Sequence, residues 1–336
     1  MQFKSVANLS EDIIRWLPRL PRDIDLIVGV PRSGMLPATL IALHMQKPLA
    51  SVKTYLDERT MCSGQRLPER PQFSHADENF TVLIVDDTVC RGTQMTKTRG
   101  HIEGAGEIQN TLLYAAPYIA PGANDYIDFY YEELDLPRVF EWNVLHHDVL
   151  HHACVDIDGV LCRDPLPHEN DDGDEYRNFL SSVEPLFLPR QKIGCLVTNR
   201  LEKYRGLTVD WLHKHGISYD DLIMMDYPSK EARQQANRYA EHKAEAYIAT
   251  GLSLFVESSV EQARGIASLA GKPVYCVDAR QMFYPNRFSE LYGAARRRRY
   301  RMWEMARKAW KEPSKVPGKL IQKARRTLPG LGAGTG

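Results

Sequence analysis

Short apolar runs alternate with amphipathic stretches along the first 115 residues. The runs at 25–30, 81–85 and 109–115 have the length and composition of buried strands. The stretches at 36–45 and near 93–104 follow a helical period, and each is preceded by a loop that contains glycine. Because strands, loops and helices alternate in this way, the pattern predicts an α/β fold with helices packed on a parallel sheet.

The same alternation restarts in the second half of the chain. Residues 117–150 are rich in proline and aromatic residues and show no clear period, which favours a domain boundary there. Beyond them the pattern predicts strands at 153–157, 193–198, 222–225, 252–256 and 273–277, and helices at 204–215, 230–243 and 260–270. The sequence therefore predicts two α/β domains, at 1–148 and 149–290, followed by a tail at 291–336.

Composition agrees with folded domains and argues against several other classes of protein. Apolar residues make up 43% and charged residues 26% of the 336 residues, as in ordinary globular proteins. The chain has no run of 18 apolar residues, and its N-terminus lacks the order of a secretory signal, so we expect neither membrane spans nor export. Six scattered cysteines without a Cys-x-x-Cys pair favour reduced thiols and a cytoplasmic location.

The formal net charge of zero conceals an uneven distribution. Residues 294–336 contain 13 Lys or Arg against two Glu, a net charge of +11, so residues 1–293 carry −11. Tyr300, Trp303 and Trp310 recur at helical spacing among the basic residues of the tail.

A basic helix with an aromatic stripe is typical of segments that lie on anionic membranes. We therefore predict peripheral attachment to the inner face of the membrane through residues 296–326. Co-sedimentation of the protein with anionic vesicles tests this prediction. A solvated terminal helix, or one packed on the acidic body, is the alternative. Nucleic acid is not expected as a partner, because the tail has no motif for reading bases or the phosphate backbone.

Two adjacent carboxylates follow the apolar run at 81–85. Asp86 and Asp87 stand at the predicted strand end, and a short loop leads from them into the next predicted helix. Paired acids can accept hydrogen bonds from the vicinal hydroxyls of a ribose, while N–H groups of the loop and of the helix N-terminus can cradle a phosphate. An N-cap pair on an unrelated sheet is the alternative.

This segment resembles the signature of type I phosphoribosyltransferases, a hydrophobic strand followed by two acids and a Thr/Gly-rich loop. The family binds phosphoribosyl pyrophosphate (PRPP) with Mg²⁺, and the loop at 29–34 is similar to its pyrophosphate loop, with Arg32 supplying charge to the leaving group. The resemblance implies that PRPP is bound by Arg32, Ser33, Gly34, Asp86, Asp87, Thr88, Val89, Cys90, Arg91, Gly92 and Thr93. Cys90, Arg91 and Gln94 depart from the small hydroxyl residues that are usual in the 5-phosphate loop.

Charged, turn-rich residues at 53–70 stand where this family has a mobile loop that closes over the reacting centre. Lys53 and Arg59 are candidate contacts for the pyrophosphate. A solvated surface loop is the alternative.

A second motif, D-x-D-G-V-L, begins at Asp156, directly after a predicted strand. Two acids separated by one residue place one carboxylate in line with a phosphate and the next within reach of the leaving oxygen, and Mg²⁺ can bridge them to the phosphate. The motif resembles that of the haloacid dehalogenase (HAD) superfamily. The resemblance implies Asp156 as nucleophile and Asp158 as general acid/base.

The remaining HAD motifs follow in the expected order after predicted strands. Thr198 matches the hydroxyl that steadies the phosphoryl group, and Lys243, or less favourably Lys230, matches the charge-compensating lysine. Glu257 takes the place of the usual last acid, so the implied magnesium ligands are Asp156, Asp158 and Glu257. About 40 residues separate Asp158 from Thr198, which implies a minimal cap, with an acidic flap or turn at 170–175.

Together the two resemblances imply two Rossmann-like domains that act in succession, each with Mg²⁺. The first would transfer ribofuranose 5-phosphate from PRPP, and the second would remove the 5-phosphate. This combination resembles the PRPP-dependent ribofuranosyltransferases of bacterial polysaccharide assembly, which implies a glycan hydroxyl as acceptor and a β linkage. The basic tail favours an acceptor that is lipid-linked. Three residues are candidates for the base that takes the acceptor's proton, namely Asp57, Glu58 and Asp87.

Two other functions agree with the same motifs. A nucleobase phosphoribosyltransferase with an attached nucleotidase would need an aromatic-lined slot, for which Tyr114, Tyr118, Tyr126 and Tyr130 are available. A non-catalytic PRPP sensor would bind the ligand through Asp86 and Asp87 without turnover. A catalytically silent HAD domain is a further alternative for the second half.

Overall fold

The computed structural model describes residues 1–59 and 73–285, which belong to two compact units. Unit 1 comprises Met1–His151 with Pro189–Lys192, and unit 2 comprises His152–Leu188 and the described residues from Ile193 onward. The predicted tail at 291–336 lies outside the described residues, as does most of the charged segment at 53–70. None of the described helices has the length and hydropathy that crossing a membrane requires.

Unit 1 contains the elements that the first half of the sequence predicts and several that it does not. Its strands are β1 (Gln2–Lys4), β2 (Leu26–Gly29), β3 (Leu49–Ser51), β4 (Thr81–Val85), β5 (Thr88–Val89), β6 (Thr111–Ile119), β7 (Phe129–Glu133) and β8 (Arg138–Phe140). Its α-helices are α1 (Val6–Trp16), α2 (Met35–Met45), α3 (Val52–Leu56) and α4 (Thr93–Glu103).

The main sheet of unit 1 is parallel and has the strand order β3-β2-β4-β6-β5, with β7 also paired to β6. A separate parallel pair joins β1 to β8. The chain runs from β2 to β3 on one side and then from β4 to β6 on the other. The strand order therefore reverses between β2 and β4, and in open α/β sheets this is where a crevice forms at the carboxyl ends of the strands.

Both faces of this sheet are covered, as β4 shows. Val82 and Ile84 pack into the core on one face, and Leu83 and Val85 pack into the core on the other. Alternate side chains of a strand point to opposite faces, so a strand buried on both sides must be apolar throughout. This is why residues 82–85 are apolar without exception and carry no side chain that could serve a site.

Unit 2 repeats this architecture. Its strands are β9 (Ala153–Val155), β10 (Ile193–Leu201), β11 (Tyr219–Met225), β12 (Leu254–Glu257), β13 (Val274–Cys276) and β14 (Gln281–Phe283). Its α-helices are α5 (Asp174–Ser182), α6 (Arg205–Lys214), α7 (Lys230–Ala236), α8 (Tyr239–Ala249) and α9 (Val260–Ala270). The sheet order is β11-β10-β9-β12-β13-β14, parallel except for β14, so the order reverses beside β9. The predicted α/β class with parallel sheets is confirmed in both units.

Two local predictions are wrong, and a third concerns a segment of which only the start is described. The single helix predicted at 230–243 is two helices, because Asn237 adopts a left-handed conformation (φ 47°) that ends α7. The segment at 117–150 is not irregular, since β7 and β8 lie within it. The charged segment at 53–70 begins as a helix, α3, which Ser51 caps by accepting the N–H of Thr54.

Gly34 lies where the loop after β2 meets the end of β4. A Cβ atom at this position would stand 2.6 Å from the Val30 carbonyl oxygen, 2.7 Å from that of Val85 and 2.9 Å from the Asp86 Cα. These are backbone atoms that cannot rotate away. Only glycine allows the two loops to approach this closely.

Gly34→Ala should therefore destabilise the protein by about 1–3 kcal/mol, as overpacking does. The measurement is the midpoint of urea unfolding followed by circular dichroism. Gly100→Ala is the matched control, because Gly100 lies in α4 with no atom near the added Cβ, and it should stabilise by about 0.5–1 kcal/mol. Equal midpoints for Gly34→Ala and wild type would contradict the close approach.

Candidate active sites

The predicted acid pair lies at the carboxyl end of β4, beside the loop that follows β2. Asp86 and Asp87 are both buried. The Ser33 hydroxyl donates to Asp87 Oδ1 at 2.8 Å, and the Trp142 indole N–H donates to Asp87 Oδ2 at 2.6 Å. The structure thus brings together Ser33, Gly34, Asp86 and Asp87, which the sequence assigned to one pocket from two separate segments.

Asp86 is poised to hold a proton. Its Oδ1 accepts the N–H of Asp87 at 2.9 Å. Burial, followed by the negative charge of Asp87, raises the pKa of Asp86 to about 8, and that backbone hydrogen bond only partly opposes the shift. At neutral pH the pair therefore carries less than two full negative charges.

The predicted phosphate loop directly follows this acid pair in the chain. Thr88 and Val89 form β5, whereas Cys90 and Arg91 are exposed. Gly92 precedes α4 with φ 69°, and the Tyr126 ring lies so close that a Cβ on Gly92 would stand 2.3 Å from it. A residue with a side chain would be strained here by both conformation and contact.

Other residues assigned to PRPP or to proton transfer are exposed or have partners outside the acid pair. Arg32 is exposed. Lys53 forms a loose surface pair with Asp57, at 3.8 Å. Glu58 accepts the backbone N–H of His75 and the Ser74 hydroxyl, so its carboxylate joins the end of the turn after α3 to residues 74–75.

Two residues of this site were missed by the sequence analysis, Trp142 and Arg138. Arg138 is buried in β8, and its Nη2 donates to the Val89 carbonyl oxygen at 2.9 Å. Both residues fall in the stretch at 117–150, and a three-residue strand is too short to give a periodic signal. Their place beside the phosphate loop is a product of the tertiary fold.

In unit 2 one lysine joins two of the predicted acids. Lys243, from α8, is fully buried, and its Nζ lies 2.6 Å from both Asp156 Oδ2 and Glu257 Oε2. Burial alone would lower the pKa of Lys243, but the two carboxylates raise it. One ammonium neutralises one carboxylate, so burial together with the charge of Glu257 leaves the pKa of Asp156 raised.

The geometry separates the two candidate lysines. Lys243 contacts the predicted nucleophile, whereas Lys230 donates through Nζ to the Asn170 carbonyl oxygen and through its backbone N–H to Asp172. Asp172 also accepts from Lys203 Nζ at 2.8 Å. Lys230 therefore holds the acidic segment at 170–175 in place, and this segment leads into α5.

Asp158 forms an ion pair with Arg200, to which the sequence analysis gave no role. Arg200 is buried, and its Nη2 lies 2.6 Å from Asp158 Oδ1 while its Nε lies 3.0 Å from Oδ2. This bidentate pair turns the carboxylate toward Arg200. Thr198 is fully buried, and its hydroxyl accepts the backbone N–H of Arg200 at 3.2 Å.

A polar cavity of about 340 Å³ opens beside these acids. Its wall is formed by Asp156, Asp158, Asp164, Pro165, Asn170, Tyr176, Asn199, Arg233, Gln234, Tyr239, Lys243, Glu257, Ser258, Ser259 and Gln262. Arg233 Nη1 donates to the Asn199 carbonyl oxygen at 2.6 Å, and the Asn199 amide donates to Gln262 at 3.0 Å. The cavity thus presents carboxylates at one part of its wall and a cation with amides at another.

Magnesium binding was predicted in both halves of the chain. Carboxylate oxygens are suitable donors for Mg²⁺, but Asp156 and Glu257 share Lys243 and Asp158 is held by Arg200. Within residues 1–59 and 73–285, no group of three or more His, Cys, Asp or Glu side chains is arranged to hold a metal ion. The side chains as arranged do not fit the predicted three-carboxylate site, and magnesium stays a prediction from the sequence.

The four tyrosines proposed for a nucleobase slot separate into two groups. Tyr114 and Tyr118 are buried in the core, where the Tyr118 hydroxyl donates to Asp12 at 2.8 Å. Tyr126 and Tyr130 are 39% and 41% exposed. Of the four, Tyr126 is the one whose ring contacts the predicted phosphate loop, at Gly92.

Comparison with known proteins gives matches among solved structures. No protein-family model matches the chain, and no curated protein matches it. Among solved structures, it is similar to a purine phosphoribosyltransferase from Pyrococcus horikoshii Ot3, with a TM-score of 0.32 and 20% identity over 42% of this chain and 92% of the other. A Helicobacter pylori xanthine-guanine-hypoxanthine phosphoribosyltransferase aligns with a TM-score of 0.32 and 13% identity over 43% and 93%. Likenesses of this strength do not assign an activity.

The raised pKa of Asp86 predicts a pH-dependent stability. An aspartate in the unfolded chain titrates near ~3.9, whereas Asp86 in the folded protein titrates at about 8. The folded state holds the extra proton between these values, so its stability falls as pH rises from about 4 to 8. Asp86→Asn removes this dependence. Its free energy of unfolding relative to that of wild type should therefore rise by at least about 1.4 kcal/mol from pH 5 to pH 8.

Urea unfolding at the two pH values measures this difference. Asp135→Asn, at an exposed position, is the control and should follow wild type. Parallel pH profiles for Asp86→Asn and wild type would show that Asp86 titrates as an ordinary aspartate.

Lys243→Met should strongly destabilise unit 2. The substitution leaves Asp156 and Glu257 buried without their shared cation, and breaking a buried ion pair from one side costs about 3–5 kcal/mol. Lys214→Met, on the exposed face of α6, should change stability by less than about 0.5 kcal/mol. Adding Glu257→Gln to Lys243→Met should recover part of the loss, and a double variant no better than the single one would argue against the shared cation.

Proposed function

We propose that unit 1 transfers a 5-phosphoribosyl group from PRPP and that unit 2 then hydrolyses the 5-phosphate. The observation that carries the first part is the meeting of the loop at 31–34 with the acid pair at the sheet's reversal point. Ser33 donates to Asp87, and Gly34 fits against the Asp86 backbone. A pyrophosphate loop and a ribose-binding acid pair need this proximity, because the C1–pyrophosphate bond joins the groups that they bind.

In the proposed transfer, each part of unit 1 has a separate task. The acid pair accepts hydrogen bonds from the ribose hydroxyls, with Asp87 oriented by Ser33 and Trp142. The loop at 88–92 and the N-terminus of α4 bind the 5-phosphate through backbone N–H groups. Arg32, which is exposed at the loop after β2, stabilises the leaving pyrophosphate.

The chemical step is a displacement at C1 of the ribose. The acceptor hydroxyl forms the new C1–O bond as the bond to pyrophosphate breaks, and its proton passes to a base. Attack from the face opposite the α-linked pyrophosphate gives a β-ribofuranoside that still carries the 5-phosphate.

Unit 2 supplies the second step. Asp156 attacks the phosphorus, the P–O5 ester bond breaks, and water hydrolyses the aspartyl phosphate to inorganic phosphate and free Asp156. Lys243 balances charge on the nucleophile. Asp158 gives a proton to the leaving ribose oxygen only after its carboxylate has left Arg200 and taken up that proton, because both carboxylate oxygens accept from the guanidinium.

The acceptor that we propose is a glycan hydroxyl. A nucleotide depends on its 5-phosphate, so a phosphatase in the same chain would undo nucleotide formation, whereas a glycan riboside needs no such group. The polar cavity of unit 2, with Arg233 and two amides on its wall, is chemically suited to sugar hydroxyls.

A nucleobase is the second candidate acceptor. The observation in its favour is the Tyr126 ring, which is 39% exposed and lies against Gly92 of the phosphate loop. An aromatic face of this kind can stack on a planar base.

The two steps should be separable by substitution. With PRPP and a lipid-linked glycan, wild type should release pyrophosphate and yield an unphosphorylated riboside, as mass spectrometry of the glycan shows. Asp156→Asn should release pyrophosphate normally but accumulate the phosphorylated riboside. Asp87→Asn should lower pyrophosphate release at least 100-fold, since it loses the negative charge and replaces one of the two oxygens that accept from Ser33 and Trp142 with an NH2 donor.

Exposed aspartates provide the controls. Asp135→Asn in unit 1 and Asp210→Asn in unit 2 should leave both steps unchanged. Pyrophosphate release with purines or orotate but not with glycans would establish the nucleobase alternative. PRPP binding without release in the presence of either acceptor class would indicate a sensor, and an unphosphorylated riboside from Asp156→Asn would contradict the division of labour.

A further inference from the structure

Arg138 is a buried cation directly behind the predicted phosphate loop. Its side chain belongs to β8 and the residue is 6% exposed. Nη2 donates to the Val89 carbonyl oxygen at 2.9 Å, whereas Nη1 is buried and finds no hydrogen-bond acceptor among the residues that the structure describes. The guanidinium therefore has an unused donor at the loop.

The charge of Arg138 is also poorly compensated. Across 1–59 and 73–285, no carboxylate forms an ion pair with it. Burial lowers the pKa of Arg138. Cys90 within the loop opposes this through its charge and a side-chain hydrogen bond, and Asp87 directly before the loop opposes it through its charge. A buried guanidinium without a counter-ion is costly, and burial of such a charge normally requires a partner.

The orientation of the loop backbone shows where an anion would lie. The Val89 carbonyl oxygen accepts from Arg138 and also from the Ala120 N–H, at 2.8 Å. In a trans peptide the N–H points opposite to the carbonyl, so the Cys90 N–H is directed away from the guanidinium. Cys90 and Arg91 are exposed, and the next N–H groups belong to the start of α4. The loop therefore presents the Cys90 N–H on the side opposite to the cation.

We propose that Arg138 is the buried counter-charge for a phosphate monoester held on the loop at 88–92 and the N-terminus of α4. This inference rests on the proposed function and identifies the ligand's 5-phosphate as the group whose charge Arg138 balances. Arg138 is a positioning residue, because it acts through the Val89 carbonyl and through its electric field. Cys90, Arg91 and Gln94 stand where small hydroxyl residues are usual in the 5-phosphate loop. Arg138 supplies the interaction with the phosphate that those hydroxyl side chains would make.

The test compares ligands that carry or lack the 5-phosphate. Isothermal titration of the full-length protein with PRPP, ribose 5-phosphate and inorganic pyrophosphate, all with Mg²⁺, gives the three affinities. Arg138→Gln should weaken PRPP and ribose 5-phosphate at least ten-fold and pyrophosphate less than two-fold. Arg138→Lys, which keeps the charge, should stay within about three-fold of wild type for all three ligands.

Stability distinguishes this role from a purely structural one. Arg138→Met removes an uncompensated buried charge, and Val89 keeps its bond from Ala120, so the melting temperature of the free protein should be equal to or above that of wild type. The rise in melting temperature on adding ribose 5-phosphate should be lost. Arg15→Gln, at an arginine exposed on α1, is the control and should keep both properties.

The outcomes separate the two levels of inference. If wild type binds ribose 5-phosphate and Arg138→Gln binds it equally well, the role of Arg138 is wrong while the proposed function stands. If Arg138→Gln loses all three ligands alike and Arg138→Met melts below wild type, Arg138 is structural. If wild type binds neither PRPP nor ribose 5-phosphate, the proposed function itself is wrong.

Discussion

The covering of both faces of each parallel sheet is the constraint on which the sites depend. A strand such as β4, buried on its two faces, has no position for a charged side chain. Polar residues can reach a crevice only where a strand ends, and the reversal of strand order opens that crevice beside β4 in unit 1 and beside β9 in unit 2. Asp86 and Asp156 are each the first residue after such a strand.

The two units meet the cost of burying these acids in different ways. In unit 1 neutral donors, the Ser33 hydroxyl and the Trp142 indole, hold Asp87, while Asp86 retains a proton to about pH 8. In unit 2 cations do so, with Lys243 shared between Asp156 and Glu257 and with Arg200 on Asp158. The first arrangement leaves acceptors for hydroxyl groups, and the second holds a carboxylate beside a compensating ammonium. This chemical contrast agrees with sugar binding in one unit and phosphoryl transfer in the other.

The arginines show how far side-chain roles depend on partners that are distant in sequence. Arg200 stands two residues after Thr198 on β10, yet its partner is Asp158, on the neighbouring β9 side of the sheet. Arg138 reaches Val89 from β8, and Arg233 reaches Asn199 from α7. Each is an arginine among many in the sequence, and nothing in its local pattern sets it apart.

The sequence by itself determined the α/β class, the position of most strands and helices, and the acids at the strand ends. It could do so because strand burial requires continuous apolar runs and because a motif such as D-x-D-G is local. Only the tertiary structure decided that Lys243 rather than Lys230 meets Asp156, that Asp158 faces Arg200, and that Arg138 and Trp142 stand beside the predicted phosphate loop. These contacts join residues that are 42 to 87 positions apart, and Arg138 lies in a strand of only three residues. Neither a long distance along the chain nor so short a strand leaves a periodic pattern in the sequence.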